Sequence, residues 1–110
     1  MLGRVRPFLF VTCKFTLYIP IISFRHAGLE DFYVRNRAAG IRPEHRKRLA
    51  RQLYVLDRMT ALTDIPRGWN LHQLLGQATG RWSISVNKNW RLTFEWQQGN
   101  VSVLDYEDYH

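Results

Sequence analysis

Residues 81–96 read RWSISVNKNWRLTFEW, followed at 101–105 by VSVLD. Side chains alternate across an extended chain, so Trp82, Ile84 and Val86 share one face of a first strand. Trp90, Leu92, Phe94 and Trp96 share one face of the next. Asn87-Lys88-Asn89 and Gln97-Gln98-Gly99-Asn100 between the runs are short and rich in turn formers. Strands over 81–87, 90–96 and 101–105 are therefore expected as antiparallel neighbours joined by hairpins. The apolar stripe requires a cover. Arg91, Thr93 and Glu95 fall on the opposite face, where Arg91 is placed to meet a ligand.

Upstream, Trp69-Asn70-Leu71-His72-Gln73-Leu74 resumes apolar alternation and predicts a further strand or an ordered loop packed on the sheet. Residues 60–68, with Pro66 and Gly68, read as a connection. Residues 43–59 are the strongest helix: Pro43 suits a first turn, and Leu49, Leu53 and Leu56, with Ala50 and Met59 nearby, make an inward stripe. Its outward face is read as Arg42, His45, Arg46, Lys47, Arg48, Arg51 and Arg58. An earlier helix carries Leu29, Phe32 and Tyr33 on one side, and Ala39-Gly40 is expected to end it. Ile21 to Phe24 is expected as a short first strand. The whole predicts one α+β domain over residues 21–110, two helices packed on a small, mostly antiparallel twisted sheet. Residues 1–20 carry Arg4 and Arg6 before the apolar Phe8 to Val11, as an export signal does, but Lys14 interrupts the run and no small-residue cleavage site follows. They are expected to be an extension outside the core fold.

The chain has 110 residues, 16 Lys and Arg against 9 Asp and Glu, and a formal charge of +7. The excess is concentrated between Arg25 and Arg91, where 13 basic residues face 5 acidic ones; beyond Arg91 there are four acids and no base. A polyanionic partner follows from that distribution, through counterion release and long-range steering. Cys13 is the lone cysteine, so no intramolecular disulfide forms and a cytoplasmic location is expected. No apolar run is long enough to span a bilayer. Metal-ligand spacing is absent, and Gly76 to Gly80 lacks the Lys-Ser or Lys-Thr of a phosphate-binding loop, so neither metal nor other cofactor is expected.

What remains for chemistry is His, Arg, Tyr, Asp and Lys. These suffice to cleave RNA, whose 2′-hydroxyl supplies its own nucleophile. A base takes the 2′ proton, a cation stabilises the phosphorane-like transition state, and an acid serves the departing 5′ oxygen. Imidazole suits either proton role, and a guanidinium binds two phosphate oxygens. His72, Arg91 and His110, the last lying just past a strand, supply such groups from three segments.

The blocks Ser23-Phe24-Arg25-His26, Gly28-Leu29-Glu30, Leu71-His72, Gly80 to Val86, Asn89-Trp90-Arg91-Leu92-Thr93-Phe94 and Asp105-Tyr106-Glu107-Asp108-Tyr109-His110 occur in one order over residues 20–110. Together they resemble the HigB toxins of the RelE/ParE superfamily. The resemblance implies a RelE-like fold and a type II toxin that cuts mRNA in the ribosomal A site. Its implied partners are a helix-turn-helix antitoxin of the HigA kind, the ribosome and mRNA, with operator DNA reached only through the antitoxin. It places His72, Arg91, Asp108, Tyr109 and His110 in the catalytic site: Arg91 on the phosphate, His110 or His72 as base, Asp108 and Tyr109 orienting or relaying protons. Asn89, Lys88, Arg81, Arg46 and Arg48 are the expected RNA contacts. Where the family often reads Leu-His-Pro-Leu-Lys-Gly, this chain has Leu71-His72-Gln73-Leu74-Leu75-Gly76, so Leu75 replaces a loop lysine. The alternatives are a binding protein of the same fold that acts on an antitoxin or gyrase without cleavage, and a basic RNA-binding module.

Overall fold

A computed structural model describes residues 21–75, 80–97 and 99–108. Helix α1 (Ala27–Arg35) and helix α2 (Arg46–Arg58) precede β1 (His72–Gln73), β2 (Arg81–Ser85), β3 (Trp90–Gln97) and β4 (Asn100–Asp108). The four strands form one antiparallel sheet in the order β1-β2-β3-β4. This is the expected α+β architecture, with both helices ahead of the sheet. Expectations for residues 1–20 lie outside the described residues.

Each helix boundary has a local cause. His26 starts α1, its Nδ1 accepting the Leu29 N–H at 3.0 Å, which satisfies one of the donors a helix start leaves unpaired. Asn36, at φ 58°, ends it, so the helix stops three residues before the predicted Ala39-Gly40. Gly40 matters instead for a close approach. A Cβ on Gly28 would lie 2.6 Å from Gly40 O, so these two glycines let the chain before α2 press against the start of α1. Pro43 opens a 3-10 turn, Pro43–His45, that runs into α2. Leu49, Leu53 and Leu56 are buried along α2 as their spacing requires. After α2, the Asp64 carboxylate accepts the N–H groups of Thr60 and Ala61, and these bonds hold its pKa below the usual value.

Ile21 to Phe24 does not form a full strand. It meets the outer edge of β4 through two parallel bridges, Ile21 to Val101 and Phe24 to Leu104, with Ile22 N and Arg25 N donating to Val101 O and Leu104 O, each at 2.8 Å. The last strand runs to Asp108 rather than ending at residue 105. A bulge explains its pattern. Register shifts between Thr93 and Glu95, and Val103 sits at φ 49°, a left-handed conformation rarely taken by a β-branched residue. One extra residue there lets Val101, Leu104 and Tyr106 all reach the core. Without it, strict alternation would turn Val101 away from the other two.

The core lies between the helices and the Ile84, Leu92, Phe94 and Leu104 face of the sheet, all four fully buried. Helix α2 is also tied to β2 by polar contact, Gln52 Nε2 donating to Ser85 O at 2.8 Å. No helix among the described residues is long and apolar enough to cross a membrane.

Candidate active site

Opposite partners in an antiparallel ladder project from the same face, so register alone assembles the polar side of this sheet. One row is His72, Ser83, Thr93 and Asp105; the next is Ser85, Arg91 and Glu107. His72 and Arg91 thus share a face although nineteen positions separate them in the sequence. Two inter-strand steps of about 4.8 Å set them apart laterally, about 10 Å in all.

Arg91 is half-buried, and its Nη1 donates to Ser85 Oγ at 3.2 Å. The carbonyl of the same Ser85 accepts from Gln52 and, at 3.3 Å, from Arg48 Nη2. Ser85 therefore connects the basic helix to Arg91. Arg48 also lies over the Trp69 ring, 5.9 Å from its centroid, which fixes a long side chain that would otherwise range widely. Arg46 is exposed on the same helix.

His72 is exposed on the edge strand, with Nδ1 3.1 Å from Asn70 O. A carbonyl only accepts, so Nδ1 carries the hydrogen and Nε2 of the neutral ring is the proton-accepting nitrogen. Asn70 can turn its carbonyl this way because it takes a left-handed conformation, φ 56°. Lys88 and Asn89 are exposed on the turn before β3. Its shape is set by Asn87, whose Oδ1 accepts the N–H groups of Asn89 and Trp90, both at 2.8 Å.

The remaining expected residues fall differently. Asp108 is exposed and paired with Trp90, which places it on the helix-side face, whereas the neighbouring Glu107 stands opposite Arg91. Tyr109 and His110 lie outside the described residues, as does the loop glycine after Leu75; Leu75 itself is 86 % exposed. Arg81, expected as an RNA contact, is buried. Its guanidinium donates to Thr93 Oγ1 at 2.7 Å and to Val103 O at 3.2 Å, and lies 3.8 Å from Glu95. It braces the bulge instead of presenting a cation to solvent.

Sequence reasoning places Thr93 on this face without a role, and misses two other participants, Glu107 and Ser85. Thr93 Oγ1 donates to Glu107 Oε2, so Arg81, Thr93 and Glu107 form a chain of polar contacts leading to the residue opposite Arg91. Carrying the β4 alternation past residue 105 would have exposed Glu107. Ser85 shows as Arg91's partner only through register. His45 is a further correction: expected on the outward face of α2, it is buried. Its spacing of four from Leu49 held that signal.

The arrangement offers an anchored guanidinium and a proton-accepting imidazole nitrogen on one polar sheet face, with a cationic helix packed on the other face and reaching the Ser85 carbonyl through Arg48. A guanidinium can bind phosphate oxygens and an imidazole can move a proton. The family model described as RelE-like toxin of type II toxin-antitoxin system HigB matches residues 22–110. Endoribonuclease HigB of Proteus vulgaris is 36 % identical over 91 residues, covering 82 % of this chain and 99 % of the relative. Toxin HigB-1 of Vibrio cholerae serotype O1 is 36 % identical over 92 residues, covering 81 % and 96 %. With the fold, the basic helix and the matched span in agreement, this chain belongs to the HigB-like family of RelE-like toxins of type II toxin-antitoxin systems.

Proposed function

We propose that the protein is an endoribonuclease that cuts mRNA on translating ribosomes and is silenced by a helix-turn-helix antitoxin. The observation that carries the reading is the shared face of His72 and Arg91, with the guanidinium anchored on Ser85 and the imidazole oriented by Asn70. The name of the Proteus vulgaris relative supports the reaction class. Arg91 binds the scissile phosphate and stabilises charge as the 2′-oxygen attacks. His72 or His110 takes the 2′ proton, the other is available to the departing 5′ oxygen, and Tyr109 orients or relays. The 2′-oxygen bonds to phosphorus as the 5′ oxygen leaves with a proton, so His and Arg suffice without metal. Lys88, Asn89, Arg46 and Arg48 hold the flanking RNA through charge and hydrogen bonds.

Inducing the full chain in cells is expected to stop growth and to leave mRNAs cut within codons. Combining Arg91→Ala with His110→Ala is expected to abolish both effects. Arrest that survives the double substitution, or arrest with intact mRNA, would overturn the reading. Leu75→Lys restores a cation where the family often has one, and is expected to raise the cleavage rate about tenfold, the worth of one charge-assisted phosphate contact.

A further inference from the structure

His45 closes the Pro43–His45 turn and is 3 % exposed. Both ring nitrogens are engaged: Nδ1 lies 2.6 Å from the Tyr106 hydroxyl and Nε2 lies 2.8 Å from Asn87 Nδ2. The Trp90 and Tyr106 rings meet the imidazole edge-on, with centroids at 5.7 and 5.9 Å.

Donor and acceptor chemistry fixes the protons in this cluster. Asn87 Oδ1 is occupied by the N–H groups of Asn89 and Trp90, so the amide nitrogen is the end that faces His45. An amide NH2 only donates, and His45 Nε2 must therefore accept. The hydrogen of the neutral ring then sits on Nδ1 and is donated to Tyr106, whose oxygen also accepts the Arg42 N–H at 3.3 Å. Burial favours this neutral ring by lowering its pKa, against an opposing pull from Glu44 and with Arg42 acting in the same direction as burial. Burial likewise raises the Tyr106 pKa, keeping the phenol protonated.

The turn held in this way carries Lys88 and Asn89 and delivers the chain into Arg91. We propose that His45 and Asn87 form a positioning clamp, in which the imidazole orients the Asn87 amide and that amide fixes the turn presenting Asn89 and Lys88 to RNA beside Arg91. The inference rests on the endoribonuclease reading. His45 does not touch RNA; it acts through Asn87 on the backbone of Asn89 and Trp90, so it is a positioning residue.

Two substitutions separate the clamp from ordinary packing. Gln places its terminal atoms where the ring has Nε2, so His45→Gln keeps an acceptor for Asn87 and gives up the Tyr106 contact. Asn reaches only to the Nδ1 position, so His45→Asn keeps Tyr106 and gives up Asn87. In the full-length chain, His45→Asn is expected to speed hydrogen exchange at the Asn89 and Trp90 amides and to slow mRNA cleavage on translating ribosomes by about tenfold, while His45→Gln stays within about threefold of the parent, because small displacements near a reacting group cost large factors in rate. Asn87→Ala, made on the exposed turn and outside the core, is expected to match His45→Asn in both measurements. Nitrogen chemical shifts of His45 are expected to show the Nδ1–H tautomer.

Equal behaviour of the Gln and Asn variants, the reverse order, or an Nε2–H tautomer would overturn the clamp. Faster exchange with unchanged cleavage would overturn its positioning role. A parent chain that leaves mRNA intact would overturn the nuclease reading, while the exchange and nitrogen measurements would still decide the clamp.

Discussion

On the helix-covered face of the sheet, Ile84, Leu92 and Phe94 are fully buried; on the opposite face Ser83 and Thr93, their neighbours along the same strands, are buried almost as completely. The first set is excluded from water by apolar packing. The second is enclosed in a network running from Arg81 through Thr93 to Glu107, beside the Ser85 contact of Arg91. Alternation therefore distinguishes apolar from polar faces here, and says little about which face is dry. The polar face gains something from its burial: a guanidinium held beside other fixed polar groups loses less to solvent screening than one on a loop.

Truncating the apolar side is expected to have the largest effect on folding. Phe94→Ala removes a fully buried ring and is expected to cost about 3–5 kcal/mol through lost transfer energy and the cavity left behind. Denaturant unfolding measures this, and a loss under about 1 kcal/mol would mean the core collapses around the gap. On the polar side, Arg81→Ala is expected to cost about 2–4 kcal/mol, since it leaves the Val103 carbonyl and Thr93 without their donor and Glu95 without its cation. If Arg81→Ala leaves stability unchanged, the network is ornamental and the two faces differ more than their burial implies.

The strands at 81–87 and 90–96, the helix at 43–59 and the burial of its leucines are legible because each rests on local periodicity. The shared face of His72 and Arg91 is not, since strand order and register decide it. The bulge at Val103 carries no sequence signal: valine is a poor choice for φ 49°, and the residues that hold it, Ser23 through its hydroxyl and Arg81 through its guanidinium, come from 80 and 22 positions away. Arg81 escapes a sequence reading for the same reason. A cation reads as exposed until the acceptors that surround it are known. His45 and Gln52 are different cases, because both lie at helical spacing from Leu49 and both are buried; their polar side chains suggest the surface, while their positions along the helix point to the core.

The pH dependence of stability tests the buried imidazole, a smaller effect because one proton is involved. Burial lowers the folded-state pKa of His45 below its ordinary value of 6.5, so in that window the unfolded chain binds more protons than the folded one. The stabilisation is complete above pH 6.5 and is expected to fall as pH drops through that value, levelling off below the folded-state pKa. Glu44 and Asp64 also have lowered pKa values, but their ordinary values are 4.5 and 3.8, so their losses begin in more acidic solution. The difference in stability between the parent and His45→Gln isolates the imidazole. A difference that stays flat from about pH 7.5 to about 5.5 would show that His45 accepts a proton as readily folded as unfolded.

The smallest expected effect bears most directly on whether the polar face is dry. Ser83 is fully buried, and its Oγ has no hydrogen-bond partner among the described residues, although Thr93 beside it is bonded on two sides. An unpaired hydroxyl in that position costs the hydration it gave up. Ser83→Ala removes the cost and little volume, so stability is expected to rise by up to about 1 kcal/mol, about 4–8 °C in Tm for a domain of this size. A loss of stability instead would show that the hydroxyl is satisfied by a resident water. The polar face would then be a wetted floor beneath His72, and its buried centre would owe more to hydration than to the Arg81, Thr93 and Glu107 contacts.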